Sequence, residues 1–209
     1  MLFFGTGSFS FEGDPLDATQ QSLYGILDTA AGQPTATLTR NNLLAQTVTV
    51  NAATPGVRGV SSNTGAGNLG WYIDLPARER FVAYPRVDSG VVFMPTYAPV
   101  SALQCSVEGA NWLYGLNSLT GAAGLSNVSF DSPGGASPGA GTGAIALQTS
   151  GTAPVKDVAI FSAPRLAPLP ADADADDLDK ALAAQCSMIV QVAGAPTMYL
   201  KRPCGRQSW

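Results

Sequence analysis

The chain has 209 residues, 45% of them hydrophobic, which suffices for a buried core in one or two domains and excludes disorder throughout. Only 12% are charged, and the net charge of -4 leaves no basic patch able to neutralise a phosphate backbone, so nucleic acid is excluded as a partner. The absence of histidine removes Ser/His/Asp and Cys/His arrangements and every histidine-containing metal site, and no apolar run approaches the ~20 residues that cross a bilayer.

With 23 Gly and 15 Pro cutting the chain into short pieces, strands are favoured over long amphipathic helices, and the expected fold class is mainly β. In chain order, residues 1–4 read as an apolar strand entering a Gly5-Thr6-Gly7 turn. An acidic loop with Glu12, Asp14 and Asp17 follows, then a second strand over 22–28. The opening lacks the positive segment and long apolar stretch of a signal peptide, and it reads as an interior strand of something longer. Further strand-length runs lie at 43–50, 71–75, 80–87, 91–97, 112–116 and 155–161. Arg78, Glu79 and Arg80, mixed in sign, read as a solvated turn. Many short strands with turn signals between them point to a sandwich, barrel or propeller.

Residues 134–143 (GGASPGAGTG) form a low-complexity loop with little side chain to pack. Pro168 and Pro170 precede a segment whose acids crowd its start, with Lys180 beyond them, and one short helix is predicted near 172–185. The runs 187–192 and 197–202, joined by Ala193-Gly194-Ala195-Pro196, are predicted to pair as a hairpin. That pairing sets Cys186 and Cys204 close to opposite one another at the open end. A disulfide there would add roughly 3 kcal/mol in an oxidising compartment, the alternative being two reduced thiols. Cys105 has no obvious partner. A weak internal echo links Leu23-Tyr24-Gly25-Ile26 with Leu113-Tyr114-Gly115-Leu116, the second copy running into Leu119-Thr120-Gly121.

Each chemical motif has a plain competitor. Gly135-Ala136-Ser137-Pro138-Gly139 matches the nucleophile-elbow pattern but sits in a Gly/Ser/Pro loop with no histidine to serve it. The G-x-G-x-x-G of 65–70 is followed by the strand-like Trp71-Tyr72-Ile73, so it is a loop and not a nucleotide cradle. Asp172, Asp174 and Asp176 occupy positions 1, 3 and 5 of a calcium-type loop and are the candidate calcium ligands. The pattern then breaks at Asp177, and the competing reading is the solvated acidic end of a helix. Glu12, Asp14 and Asp17 are candidates for paired glycosidase carboxylates, against a hydrophilic turn with Asx contacts. Trp71, Tyr72, Tyr97, Trp112 and Tyr114 offer a sugar-stacking platform, against the commoner role of strand aromatics as core.

Several motifs together resemble one family. Gly5-Thr6-Gly7, Gly13-Asp14, Tyr24-Gly25-Ile26 and Asp28 are similar to the "GTG…GD…Q…YGI.D" segment near the end of PilY proteins, large adhesin and assembly factors at the tips of type IV pili. Gly70-Trp71-Tyr72-Ile73-Asp74-Leu75-Pro76 with Glu79-Arg80-Phe81-Val82 resembles their "GWYLDLP…GERVV". The blocks GVVFMPTYAP (90–99), Cys105-Ser106, NWLYGL (111–116) and Leu119-Thr120-Gly121 resemble "GRVIFTTLIP…CS…G.SWLMELDALTG", and Gly205-Arg206-Gln207-Ser208-Trp209 resembles the terminal "GRISW". The matched blocks run in order along the whole chain.

The resemblance implies that residues 1–209 are the C-terminal β-propeller-like region of a longer PilY-type protein, built of quinoprotein-like blades. At ~40 to 50 residues per blade the chain supplies at most about four, and ring closure would need further chain or other cover for the exposed edges. It further implies a non-enzymatic role in pilus biogenesis and adhesion, with minor pilins or other pilus components, and a host surface or glycan, as partners. The location it implies is the cell surface at the pilus tip, after export through the periplasm. Contact surfaces are expected on the loops 51–69, 132–143 and 162–179. Many members carry an Asp-rich calcium loop after Phe-Asp, whereas here Phe130-Asp131 runs into Ser132-Pro133-Gly134-Gly135, so only Asp131 remains of that ligand set. Two other classes stay open: a quinoprotein-like propeller enzyme fragment, suggested by the Leu-Thr-Gly strand end, and a carbohydrate-binding β-domain.

Overall fold

Among the described residues fifteen short strands build three sheets. The computed structural model describes residues 1–28, 37–65, 68–99, 109–126, 128–130, 138–147, 153–162, 174, 176–177, 187–192 and 197–201. The first sheet orders β1 (Leu2–Gly5), β2 (Ser22–Ile26), β6 (Gly70–Asp74) and β3 (Leu44–Gln46), with β3 parallel to β6 and every other described pairing antiparallel. The second orders β4 (Val48–Val50), β5 (Val57–Val60), β12 (Thr142–Leu147), β10 (Gly109–Asn117), β9 (Val91–Pro99) and β7 (Arg80–Phe81), and β8 (Arg86–Asp88) shares β7's side of β9. The third orders β11 (Val128–Phe130), β15 (Met198–Lys201), β14 (Ser187–Gln191) and β13 (Ala159–Ser162).

The second sheet is the middle layer. Because side chains alternate along a strand, Val92 and Met94 of β9, Tyr114 and Leu116 of β10, and Ala144 of β12 pack with Leu23, Trp71 and Ile73 of the first sheet. Their neighbours Phe93, Leu113, Ile145 and Leu147 pack with Met188, Val190, Met198 and Leu200 of the third. Burial on both faces explains why GVVFMPTYAP reads as a continuous apolar run and not as an alternation.

Trp71 is the wedge between the first two layers. It is fully buried, and its indole Nε1 donates to the Ser118 carbonyl at 2.9 Å. The ring occupies the space a Cβ would need at Gly25 (2.4 Å) and at Gly121 (2.6 Å), the latter with φ +70° in the turn closing β10. Gly115 likewise leaves room for Leu125, so both Tyr-Gly pairs of the internal echo serve to admit a large neighbour.

Several sequence expectations need correction. The single strand at 43–50 is two strands in different layers: the chain crosses at Thr47, and the buried Gln46 fixes the crossing. Its amide donates to the carbonyls of Asn63 and Thr120 and accepts from Ser61 Oγ and the Asn63 N–H. The run 80–87 is also broken, with the gap opposite Met94 and Pro95, where proline supplies no N–H, and with Pro85 inside the run itself. The loop at 51–69 contains β5, and the one at 132–143 runs into β12. The final hairpin forms as read, with Ser187 opposite Lys201. Of the helix near 172–185, Asp176 and Asp177 are helical, and the rest lies outside the described residues apart from Asp174. Cys105, Cys186, Cys204 and Asp172 also lie outside them, as do Gly135, Ala136 and Ser137 of the G-x-S-x-G stretch. Mainly β is the observed class, and the described residues form stacked layers in which a closed ring of blades is not seen.

Candidate functional site

The densest polar chemistry gathers around the three residues read as a solvated turn. Glu79 and Arg80 are 0% and 1% exposed, so that reading is overturned for both. Strand alternation sends them to opposite sides. Glu79 enters the space beside β5 and β10, where its carboxylate accepts from Arg58 Nη1 at 2.5 Å and from Thr96 Oγ1 at 2.5 Å. Arg58 also donates to the Tyr114 hydroxyl at 3.0 Å, and its guanidinium lies 3.4 Å from the centroid of the Trp112 ring. Burial first, and then the Glu79 charge, push the Tyr114 hydroxyl far above its ordinary titration range. A carboxylate so enclosed, with both oxygens engaged, meets no solvent-borne substrate; the cluster clamps β5, β9 and β10 to the turn before β7.

Arg80 faces the other way and organises the acidic loop. Its guanidinium donates only to backbone carbonyls: Arg78 at 3.2 Å, Ser8 at 3.0 Å, Asp17 at 2.7 Å, and Asp14. Arg78 adds a bond to the Pro15 carbonyl. Within the loop the Asp14 carboxylate accepts from Ser8 Oγ and from the N–H groups of Ser10 and Phe11, between 2.7 and 2.8 Å, which holds it below the usual carboxylate range. Asp17 accepts from the Thr19 N–H and is lowered likewise. Phe9 sets its ring edge-on to Tyr97 at 4.8 Å. The result is an ordered loop from Gly7 to Gln20 that leaves Phe11 75% and Leu16 45% exposed. Asp14 thus follows the Asx-turn reading and is not poised over a substrate, while Glu12 is exposed.

Two further surfaces complete the inventory. On the outer face of the first sheet Phe4 stacks on Tyr24 (5.0 Å) and Tyr24 on Tyr72 (6.2 Å), with the Arg40 guanidinium 4.7 Å from the Tyr72 centroid. Arg40 is tied to Asp74, Ser22 and the Tyr24 hydroxyl. Between β8 and β13 a cleft of about 600 Å³ is lined by Arg86, Val87, Asp88, Asp157, Val158 and Ile160, among others, with Arg86 and Asp157 in a two-pronged exposed pair.

The five strand aromatics do not assemble a sugar-stacking platform: Trp71, Tyr97 and Tyr114 are core, the commoner role set against it, and Tyr72 and Trp112 are half-buried in separate settings. Of the calcium candidates, Asp174 accepts from the Asp177 N–H, as a helix-capping residue does, and Asp176 is exposed. No group of three His, Cys, Asp or Glu side chains is arranged to hold a metal among the described residues. Sequence reasoning missed Arg58, Glu79 and Arg80; the signal was their placement beside strand-forming residues, where charge indicates either an edge or a buried pair.

No family model matches the sequence, and no solved structure matches the chain. Along its whole length, in an alignment of 232 residues, the chain is 32% identical to a protein of Xylella fastidiosa strain Temecula1 described as a type IV pilus biogenesis factor PilY1 homolog. The chain spans 15% of the length of that relative. Among the described residues no helix is long and apolar enough to cross a membrane.

Proposed function

We infer, from the premise that this chain belongs to the PilY family, that it serves type IV pilus biogenesis as a non-enzymatic contact module at the pilus tip. The whole-chain likeness to a pilus biogenesis factor carries the reading. The physical chemistry is in keeping with it: the one enclosed acid among the described residues is spent on tying strands of the middle sheet together, and the ordered loop presents apolar side chains outward. On this reading the three sheets belong to a larger propeller, minor pilins or other pilus components are the partners, and adhesion to a host surface or glycan is the outward activity. The protein reaches the cell surface through the periplasm, where Cys186 and Cys204 join and where calcium, if bound, is held by Asp172, Asp174 and Asp176.

The test is a chromosomal deletion of these residues from the gene that encodes them, with surface pilin recovered by shearing and cell attachment measured. A loss of pili and attachment is expected. Normal pili and attachment after the deletion would overturn the reading.

A further inference from the structure

We infer that the Gly7 to Gln20 loop is a preformed anchor, in which Phe11 and Leu16 enter an apolar recess on a protein partner whose rim carries lysine or arginine. The inference rests on the pilus reading above and names the contact that reading requires.

Three observations carry it. First, Phe11 is the most exposed large hydrophobic side chain described, at 75%, and Leu16 shares the same short loop. A single exposed aliphatic is ordinary on any surface, but phenylalanine is among the side chains enriched at the centre of protein interfaces, and here it is raised on one loop together with Leu16.

Second, the loop is held in shape before any partner arrives. The buried Arg80 binds the carbonyls of Ser8, Asp14 and Asp17, Arg78 binds that of Pro15, and Asp14 ties down the N–H groups of Ser10 and Phe11. Gly7, at φ +122°, lies so close to Arg80 that a Cβ there would sit 2.5 Å from the arginine Cβ. Ordering a loop on binding subtracts from affinity, and here that loss is already met in the free protein.

Third, the loop is acidic. Between Gly7 and Gln20 it carries Glu12, Asp14 and Asp17 and no Lys or Arg. Arg80 and Arg78, which bond its carbonyls, offset two of these charges, but Arg80 is buried and Arg78 half-buried, so the charges the loop exposes are those of Glu12 and Asp17. Hydrogen bonds keep Asp14 and Asp17 ionised down to acidic pH. A cationic rim is the complement of that field. An anionic lipid surface would repel the loop, and so would a second copy of a chain carrying 15 acidic against 11 basic residues.

The experiment uses the full-length gene product in piliated cells, and its readout is the amount of that protein recovered in the sheared pilus fraction. The double variant Phe11→Ser/Leu16→Ser touches only exposed side chains; it should reach the periplasm at the wild-type level, resist protease equally, and fall roughly tenfold or more in the pilus fraction. Glu12→Lys/Asp17→Lys should fall as well. Wild-type recovery of either variant would overturn the anchor. So would reduced protease resistance of the Phe11→Ser/Leu16→Ser protein, which would mean that its own remaining chain covers the loop. A dimer in sedimentation that vanishes in the same variant would overturn it in favour of a second copy. If deleting residues 1–209 leaves pili normal, the pilus reading itself fails; if the deletion abolishes pili while both variants behave as wild type, only the anchor fails.

Discussion

Glu79→Ala would expose how strongly the middle sheet depends on one ion pair. The substitution removes both oxygens that receive Arg58 and Thr96, while Arg58 stays against Trp112 with its side chain only 9% exposed. Arg58 Nε already lacks a partner, so the guanidinium would retain only the Tyr114 hydroxyl. Breaking a buried pair from one side destabilises by about 3–5 kcal/mol, because the remaining charge is stranded. Against a total of about 5–15 kcal/mol for a domain, that is a large fraction. In urea, with a slope of about 2 kcal/mol/M, the midpoint should fall by about 1.5–2.5 M, followed by tryptophan fluorescence and circular dichroism. The double variant Arg58→Met/Glu79→Leu should recover most of the loss, since neither charge then needs solvation. A Glu79→Ala shift below about 1 kcal/mol, or a double variant as weak as the single, would refute the clamp.

Gly121→Ala should cost about 1–3 kcal/mol in the same titration, since its Cβ would collide with the Trp71 ring at a backbone φ of +70°; an unchanged midpoint would mean that Trp71 has room to move. Tyr114 titrates above its ordinary range in the folded state. The neutral hydroxyl therefore stabilises the fold fully below the unfolded pKa near 10, and that contribution is lost as pH rises past 10 toward the folded value. Tyr114→Phe should accordingly flatten the loss of stability measured above pH 10 relative to wild type, and identical slopes would refute the assignment.

The fold class and most strand positions are legible because strand-length apolar runs between Gly and Pro leave few alternatives, and the final hairpin follows directly from its two runs and turn. The layers are less so. Nothing local in Leu43-Leu44-Ala45-Gln46-Thr47-Val48 says that the chain changes sheet at Thr47; that depends on Gln46 meeting Asn63 and Thr120, distant in sequence. Burial of Glu79 and Arg80 is hidden for the same reason. Arg80 finds three of its four acceptors more than 60 residues away, on carbonyls that carry no side-chain signature. Phe11 illustrates the reverse: its apolar side chain suggests interior, yet the loop bonds turn it outward.

The crossing at Thr47 has a mechanical consequence. On its two sides the strand is hydrogen-bonded to β6 along three residues and to β5 along three residues, in sheets that face one another. A tensile load applied to one sheet is therefore handed to the other as shear along both short ladders at once, with Gln46 as the rivet, instead of unzipping one bond at a time.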